Sequence, residues 1–377
     1  MKKNILIALA LVVCIGTLMG VNFYLSKQPE IEEATEVQED IEIIAQNLNI
    51  PWDVAFLPDK SFLVTERPGR VRMIDNKGNL LPTPVASIPG VKHIGEGGLL
   101  GIAIHPDFQN NKYVYLYYTY SSTENNTSNR VVRFKFENGK LIDETVLVDA
   151  IPGAVNHNGG RIKFGPSSVP PNGGTSAGRP DYYLYITTGD AQNPSLAQDK
   201  NSLAGKILRV TDEGKVAPGN PFDNLVYSYG HRNPQGLTWD DKGQLWATEH
   251  GPQALDELNL IEKGKNYGWP VIQGDRMREG MVSPVIQSGS TATWAPAGAA
   301  YLGGSIFFGG LRGEALFEYQ LADKSLKKYF QGEFGRIRAV VLGPDGYLYI
   351  TTSNTDGRGN PKVGDDKLIK INPKIFG

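Results

Sequence analysis

The residues best suited to chemistry are concentrated in one stretch of the second half of the chain. Arg232 and Asn233 lie on a proline-interrupted turn, and a Glu-His-Gly-Pro corner follows at residues 249–252. Two carboxylates, Asp256 and Glu257, come directly after that corner. A guanidinium donates hydrogen bonds to anions, while main-chain carbonyls and carboxylates are hard oxygen ligands. This grouping therefore predicts an anionic ligand held together with a metal ion.

A candidate proton acceptor lies earlier, in the glycine-rich motif Asn-His-Asn-Gly-Gly-Arg at residues 156–161. Imidazole titrates near neutral pH, so His157 could take a proton from an alcohol, and the glycines let a ligand approach the backbone. Asp190 ends a strand-like run in Thr-Thr-Gly-Asp and could orient such a histidine. Each residue also has an ordinary alternative: His157 could cap a loop turn, and Asp190 could belong to an Asx-turn.

Three arginines form a third candidate group. Arg336 and Arg338 flank Ile337, so strand alternation points both guanidinium groups to the same side. Two such forks suit a ligand with several carboxylates or phosphates, and a solvated pair on a strand edge is the alternative. Arg312 adds a cation beside flexible glycines. The sequence has no zinc-type His/Cys spacing, no phosphate loop and no Gly-x-Ser-x-Gly elbow.

The elements that position these residues are repeats of an apolar strand, a Pro/Asp/Gly turn and a second apolar strand. Clear copies occupy residues 53–67, 100–120, 161–190, 236–251 and 338–354, and a weaker copy with Gly309-Gly310 at its turn occupies 305–321. The repeats predict an all-β chain that forms a six-bladed β-propeller, with a pair of all-β sandwiches as the alternative. The insertions at 167–180 and 273–290 are expected to be loops on the propeller faces, where sites commonly lie.

Two N-terminal segments precede the predicted propeller, which we place at residues 42–377. Residues 1–26 contain two lysines and then an uncharged apolar run, typical of a signal peptide or membrane anchor. Lipidation of Cys14 is the alternative. Residues 27–41 have the acidic, aromatic-poor composition of a linker. The propeller is therefore expected to be exported, to a periplasmic or extracellular location, with membrane contact only through the first segment.

The net charge of the chain gives no reason to expect nucleic acid as a partner, because 38 basic residues are balanced by 40 acidic ones. The only cysteine is Cys14, so an internal disulfide framework is excluded.

The motifs resemble those of the glucose/sorbosone dehydrogenase family, specifically the soluble aldose sugar dehydrogenases that use pyrroloquinoline quinone (PQQ). The resemblance covers essentially residues 48–376. Its motifs occur in the same order: GEGGLLGIAIHPDF (95–108), NHNGGR (156–161), the TGD ending at Asp190, YGHRNPQG (229–236), EHGP (249–252), DELN (256–259), KGKNYGWP (263–270), RIR (336–338) and GPDGYLY (343–349). It implies a six-bladed β-propeller with PQQ in a cleft on its top face.

The resemblance also implies individual roles. His157 matches the general base, Asp190 the acid that orients it, and Arg232 a cation near the reactive quinone carbonyl. Further implied cofactor-binding residues are Asn233, Tyr267, Trp294, the arginines 312, 336 and 338 at the PQQ carboxylates, and Glu96, where relatives commonly have glutamine. The carbonyls of Gly251 and Pro252 match ligands of a calcium ion, and Asp256 and Glu257 complete the predicted metal set.

The implied function is PQQ- and calcium-dependent oxidation of an aldose at C1 to the lactone. It proceeds by proton abstraction and hydride transfer to the quinone, and an external acceptor takes the electrons. Two other classes of function stay open at this point. A calcium-dependent lactonase-type hydrolase has no need of three arginines. A non-catalytic propeller that binds sugar or protein has no need of His157, Asp190 and Arg232 together.

Overall fold

The computed structural model describes residues 40–124, 126–166 and 182–377. Within them, 24 strands form six four-stranded antiparallel sheets, the blades of a six-bladed β-propeller. The predicted anchor at 1–26, the linker up to residue 39 and the predicted insertion at 167–180 lie outside the described residues. In the part of the chain that the structure describes, no helix has the length and apolar character needed to cross a membrane.

Consecutive strands pair within each blade, so the blades are antiparallel meanders. The first blade contains β2 (Pro51–Phe56), β3 (Phe62–Glu66), β4 (Arg70–Ile74) and β5 (Ala86–Ser87). The second contains β6 (Leu99–Ile104), β7 (Tyr113–Ser121), β8 (Thr127–Glu137) and β9 (Lys140–Pro152). The third contains β10 (Ile162–Pro166), β11 (Tyr182–Thr188), β12 (Lys206–Val210) and β13 (Val226–Tyr229).

The remaining blades follow in chain order. The fourth contains β14 (Pro234–Trp239), β15 (Leu245–Glu249), β16 (Glu257–Ile261) and β17 (Ile286–Gln287). The fifth contains β18 (Pro296–Leu302), β19 (Ser305–Gly310), β20 (Leu316–Gln320) and β21 (Leu326–Tyr329). The sixth contains β22 (Ile337–Leu342), β23 (Leu348–Thr352), β24 (Leu368–Ile371) and the N-terminal strand β1 (Ile41–Ala45). The short helices are α1 (Phe108–Asn111) and two 3₁₀ turns at Pro194–Ala197 and Pro373–Phe376.

The propeller is closed by pairing between the two ends of the described chain. Strand β1 forms the outer edge of the sixth blade, where Ile41 pairs with Ile371 and Ile43 with Ile369. Ile41, the last residue of the predicted linker, therefore already belongs to a blade. Because this pairing joins the first strand to the last blade, the ring of blades cannot open without breaking a sheet.

The core lies between adjacent blades, which bury both faces of each sheet. Strands β3 and β15 are buried at every position for this reason. At the junction of the sixth and first blades, Phe56 and Phe62 pack edge-on against Tyr349 with ring centroids 4.9 and 5.8 Å away. Such aromatic and β-branched contacts make the ring of blades a rigid support for its loops.

The weakest predicted repeat is offset by one strand. Residues 305–321 form β19 and β20, the second and third strands of the fifth blade, whereas its innermost strand is β18. The turn between the first two strands is Gly303-Gly304, and Gly309-Gly310 ends β19. Strand β18 has the sequence PAGAAYL because it approaches the sixth blade closely: a Cβ on Gly298 would lie 2.8 Å from Val340 N. It therefore lacks the large apolar residues that marked the other inner strands. Strand β17 (Ile286–Gln287) lies within the segment 273–290, which the sequence predicted to be a loop.

Two kinds of connection bring the candidate residues to one face. In an antiparallel meander, the chain enters the innermost strand and leaves the second strand at the same end of the sheet. The connections into innermost strands carry Glu96, His157, Arg232 and Arg336. The connections between second and third strands carry Asp190, Gly251, Arg312 and Arg358. Residues from distant parts of the sequence are thus assembled on a single surface.

Candidate active site

His157 and Asp190 form a hydrogen-bonded pair, with Nδ1 of the histidine 2.7 Å from Oδ1 of the aspartate. The Asp190 side chain is fully buried, and its other oxygen accepts a hydrogen bond of 2.8 Å from Trp269 Nε1. The amide of Gln192 also donates to Asp190 Oδ1, at 2.8 Å. The carboxylate is therefore fixed and holds a proton on Nδ1, which leaves Nε2 as the nitrogen that can accept a proton.

Close backbone packing brings these two residues together. His157 adopts φ +62° and Gly159 adopts the same φ, so the chain turns sharply into β10. A Cβ on Gly189 would lie 2.0 Å from His157 O, and one on Gly159 would lie 2.6 Å from Thr187 O. Both glycines are thus required where the loop before β10 contacts the end of β11. This contact explains the glycines of the NHNGGR and TGD motifs.

Glu96 connects the loop of His157 to the loop of Arg232. Its Oε2 accepts hydrogen bonds from the His157 amide at 3.1 Å and from Asn233 Nδ2 at 3.3 Å. Its Oε1 accepts from Arg358 Nη1 at 2.8 Å. Desolvation alone would raise the pKa of Glu96, but the charge that His250 carries only in acid and the hydrogen bonds from Arg358 and His157 lower the pKa to about 2. Glu96 is therefore a carboxylate at neutral pH.

Arg232 is held by its backbone, which leaves part of its guanidinium group available. Its amide donates to Glu249, a carboxylate that also binds His231 Nδ1 at 2.8 Å. Its Nη1 donates to His250 O at 3.2 Å, and its Cζ lies 5.3 Å from the centroid of the Trp269 ring. The buried Nε makes no hydrogen bond with any described residue. A buried, unpaired donor on a cation suits an oxygen atom of a ligand.

A cavity of about 420 Å³ is linked to His157 and Arg232 through two of its lining residues, Glu96 and His250. Its lining is strongly cationic, with Arg312, Arg336, Arg338 and Arg358 alongside Glu96, Gln235, His250, Ala295 and Leu311. Arg336 and Arg338 are both buried, with 4% and 3% of their surface exposed, so they are not a solvated strand-edge pair. The two arginines instead share one wall, as strand alternation predicts.

The two buried arginines differ in how they are neutralised. Arg336 donates from Nε and Nη2 to Asp356 Oδ2, at 3.2 and 2.8 Å. Arg338 donates from Nη1 to Gln235 Oε1 at 2.6 Å, and its Nη2 lies 3.9 Å from Asp356 Oδ2, a longer ion pair than that of Arg336. Its buried Nε makes no hydrogen bond with a described residue. Burial lowers the pKa of Arg338 to about 9, so the group is still a cation at neutral pH. Arg338 therefore presents an incompletely satisfied positive charge to the cavity.

The residues that line the cavity fit an acidic cofactor such as PQQ. Its arginines supply positive charge for several carboxylates, and the buried Nε2 of His250 makes no hydrogen bond with any residue in the described ranges. Burial lowers the pKa of His250 to about 4, so this imidazole is neutral at pH 7. These unpaired polar atoms are the property expected of a site built to receive a polar ligand.

The predicted metal residues divide into two groups. Asp256 accepts hydrogen bonds from Gly251 N at 2.9 Å, Thr293 Oγ1 at 2.7 Å, and the amides of Trp294 and Ala295 at 2.7 and 2.9 Å. These hydrogen bonds brace the Gly-Pro corner, and the role of Asp256 as a metal ligand stays a prediction. No group of three or more His, Cys, Asp or Glu side chains among the described residues is arranged to hold a metal ion.

The other members of the metal set border a narrow cleft beside Arg232 and His250. Glu257 lies there, and desolvation and the nearby Glu249 raise its pKa to about 8. In the part of the chain that the structure describes, no group donates a hydrogen bond to the carbonyl oxygens of Gly251 or Pro252. These two carbonyls fit calcium, which prefers oxygen ligands, and their role stays a prediction.

The two predicted aromatics do not reach the arginine-lined cavity. Trp294 packs against Phe308 and Phe317, with ring centroids 5.5 and 5.8 Å away, in the core of the fifth blade. Tyr267 stacks on His231 at 4.7 Å and donates its hydroxyl hydrogen to Leu260 O at 2.6 Å. Tyr267 borders the narrow cleft, but its polar atom is already used within the fold.

Sequence reasoning missed several residues that the structure places at the site. They are Gln235, His250, Trp269, Asp356 and Arg358. Trp269 and His250 lie inside the KGKNYGWP and EHGP motifs, so the recognised residues next to them in sequence could have identified them. Arg358 and Asp356 lie in a loop with no recognised motif, and only the fold brings them to the cavity.

Comparisons with known proteins agree with this geometry. The family model for glucose/sorbosone dehydrogenases matches residues 48–360. The solved PQQ-bound form of aldose sugar dehydrogenase from Streptomyces coelicolor is 40% identical, with a TM-score of 0.79, covering 88% of this chain and 97% of that one. An aldose sugar dehydrogenase of Escherichia coli is 30% identical over 89% of this chain and 93% of its own length.

A third relative extends the comparison. An uncharacterised protein of Synechocystis is 35% identical over 87% of both chains. The family match includes His157, Asp190, Arg232, Arg336 and Arg338, so it spans every cluster of the site described above. The chain therefore belongs to the glucose/sorbosone dehydrogenase family.

Proposed function

We propose that this protein is a PQQ- and calcium-dependent oxidoreductase that oxidises aldose sugars at C1 to the lactone. As a glucose/sorbosone dehydrogenase family member it is an oxidoreductase, and relatives bear the names aldose sugar dehydrogenase and quinoprotein glucose dehydrogenase. One observation carries the proposal: His157, bonded to Asp190 at 2.7 Å, donates its amide hydrogen to Glu96, and Glu96 lines a cavity walled by arginines. A proton acceptor and an anion-binding cavity are the two parts that such a reaction requires.

The arginines would hold the cofactor. Arg336 and Arg338 form a buried wall, and Arg312 adds an exposed cation at the cavity's edge. Each retains N–H donors for a PQQ carboxylate, because a guanidinium group carries five and Arg336 and Arg338 use at most three of them within the fold. When bound, PQQ supplies the acceptor for the two electrons of the oxidation. The carbonyls of Gly251 and Pro252 would hold the calcium ion next to it.

His157 would remove the proton from the C1 hydroxyl of the sugar through Nε2. Asp190 holds the opposite nitrogen and stabilises the positive charge that the imidazole gains. Arg232 would add a positive charge to that of the protonated imidazole. This charge would stabilise the negative charge that develops on the reacting oxygen atoms. Because the backbone of Arg232 is anchored by Glu249, this charge is positioned before substrate arrives.

The proposal extends to the cellular setting. The apolar segment at residues 1–26 supports export, with the propeller at the periplasmic or extracellular face and membrane contact through that segment alone. The electrons would then pass to an external acceptor. We propose no nucleic-acid partner, because a net charge of −2 provides no electrostatic attraction to one.

A reconstitution titration tests the proposal. PQQ is added to the purified full-length chain with calcium or with EDTA, binding is followed by PQQ absorbance, and aldose-dependent dye reduction is then measured. We expect saturable binding, dye reduction with at least one aldose, and loss of activity without calcium. Saturable binding with no sugar-dependent reduction would instead indicate a binding propeller. Failure to bind PQQ in the presence of calcium would contradict the proposal outright.

A further inference from the structure

Arg358 joins three loops that the sequence keeps far apart. It lies between β23 and β24 in the sixth blade, and its Nη1 donates to Glu96 Oε1 at 2.8 Å in the loop before the second blade. Its Nη2 donates to Asn156 Oδ1 at 2.7 Å in the loop before the third blade. Asp356 Oδ1 accepts from the Arg358 amide at 2.9 Å and so fixes the start of this connection.

The pair of Glu96 and Arg358 differs from an ordinary surface ion pair. Half of the Arg358 side chain is exposed, but only 15% of the Glu96 side chain is. The second Glu96 oxygen accepts from the amide of His157 and from Asn233. Isolated surface pairs usually contribute little, because water screens both charges. Here one partner is mostly withdrawn from water and bonded to the residue assigned as the base.

Neutralisation of Glu96 matters because of where it lies. The carboxylate lines the same cavity as Arg336 and Arg338, which would bind an acidic cofactor. Without Arg358, the Glu96 carboxylate would lose the ion pair that holds its second oxygen, and it would turn towards solvent or towards the other arginines of the cavity. Either movement would loosen the hydrogen bond to the His157 amide and shift the imidazole relative to the sugar.

We propose that Arg358 is a positioning residue for His157, acting through the carboxylate of Glu96; the inference rests on the function proposed above. It also assigns a reason for the carboxylate at this position. Glu96 contributes two acceptor oxygens, one for the loop of the base and one for Arg358, and the arginine compensates its charge. The pair acts as one unit, so its two members are expected to be functionally coupled.

This coupling predicts a specific pattern of kcat values among two single variants and the double variant. Arg358→Gln leaves Glu96 unpaired, and kcat is expected to fall on the order of tenfold with little change in KM, because the base is displaced and not removed. Glu96→Gln leaves Arg358 without a carboxylate and is expected to lower kcat as well. The double variant restores a neutral pair in which the glutamine oxygen can still accept from His157 N. We expect its kcat to exceed that of Arg358→Gln.

The experiment measures kcat, KM and the dissociation constant for PQQ on the full-length chain carrying each variant. Amide hydrogen exchange of the peptide containing His157 adds a readout that needs no cofactor. We expect Arg358→Gln to speed this exchange and the double variant to slow it again. Arg133→Gln is the matched control, because Arg133 donates to Glu213 at 2.7 Å outside the cavity lining. It should leave all of these quantities unchanged.

The possible outcomes separate the two proposals. If wild-type protein oxidises aldoses but Arg358→Gln matches it in kcat and in exchange, the positioning role is wrong and the proposed function stands. If the double variant is no better than the product of the two single losses, the residues act independently and the inference is overturned. If wild-type protein binds no PQQ, the proposed function fails, while faster exchange in Arg358→Gln would still establish the link to His157.

Discussion

Two buried carboxylates at the same face of the propeller have different hydrogen-bond partners. Asp190 follows β11 and Asp256 precedes β16, and their exposed fractions are 0% and 2%. Asp190 gives one oxygen to the imidazole of His157, a group that can gain a proton. Within the described residues, Asp256 accepts from three main-chain amides and the hydroxyl of Thr293. Burial of a carboxylate therefore does not indicate chemistry by itself, because the nature of its partner decides.

The largest effect is expected from Asp190→Asn. The amide cannot stabilise a protonated imidazole, so kcat should fall on the order of 10³-fold. The affinity for PQQ should change little, because Asp190 does not line the arginine cavity. Steady-state kinetics on PQQ-loaded protein, together with a PQQ titration, measure both quantities. Retention of near wild-type kcat would remove the distinction between the two carboxylates.

Asp256→Asn should lower the stability of the fold and leave the chemical step unchanged. An asparagine has one acceptor oxygen, so at least one of the buried donors now facing Asp256 loses its partner. We expect the free energy of unfolding to fall by about 3 kcal/mol, measured by urea denaturation. The matched comparison is Asp190→Asn in the same assay. A kcat loss as large as that of Asp190→Asn, with stability unchanged, would indicate that Asp256 belongs to the chemistry.

The cavity offers a second contrast, between a buried and an exposed arginine. Arg338→Gln removes a buried cation with an unpaired Nε, so the dissociation constant for PQQ should rise by about 10- to 100-fold. Arg312→Gln removes an exposed cation and should cost only a few-fold, because water screens its charge. Equilibrium titrations at two salt concentrations measure both. Equal losses for the two variants would contradict the assignment of the buried wall as the principal anchor.

The smallest effect concerns the pH dependence of stability. The pKa of Glu96 in the fold is about 2, below its ordinary value of 4.5. The stability that Glu96 contributes is therefore fully present above pH 4.5 and is lost as the pH falls towards 2. Between pH 4.5 and 3.5 this loss should be about 1 kcal/mol, and Glu96→Gln should lack it. The free energy of unfolding is measured against pH for wild type and for Glu96→Gln. An equal loss in both proteins would assign the pH dependence to another group.

The sequence predicted the propeller because its blades repeat a local pattern. Strand alternation and Pro/Asp/Gly turns are short-range signals, and they located the first two strands of five blades. The innermost strand of the fifth blade escaped, because close approach to the sixth blade selects glycine and alanine there. The strand pattern of large apolar residues is therefore absent where packing between blades requires small residues.

The candidate site could be predicted in part for the same reason. His157 and Asp190 lie in distinctive glycine-rich motifs, so their residue types were informative before their contact was known. Arg358 lies 262 residues from Glu96 in sequence, and no local pattern indicates that contact. Asp256 was predicted as a metal ligand from its sequence position alone, which does not reveal the four hydrogen-bond donors that its carboxylate meets.

The most direct test is a single-turnover measurement on PQQ-loaded protein mixed with an aldose without an external acceptor. The account predicts that wild-type protein shows the absorbance change of cofactor reduction. His157→Ala, with PQQ still bound, should react on the order of 10³-fold more slowly. Reduction at the wild-type rate in His157→Ala would contradict the central claim that this imidazole, held by Asp190 beside the arginine cavity, accepts the substrate proton.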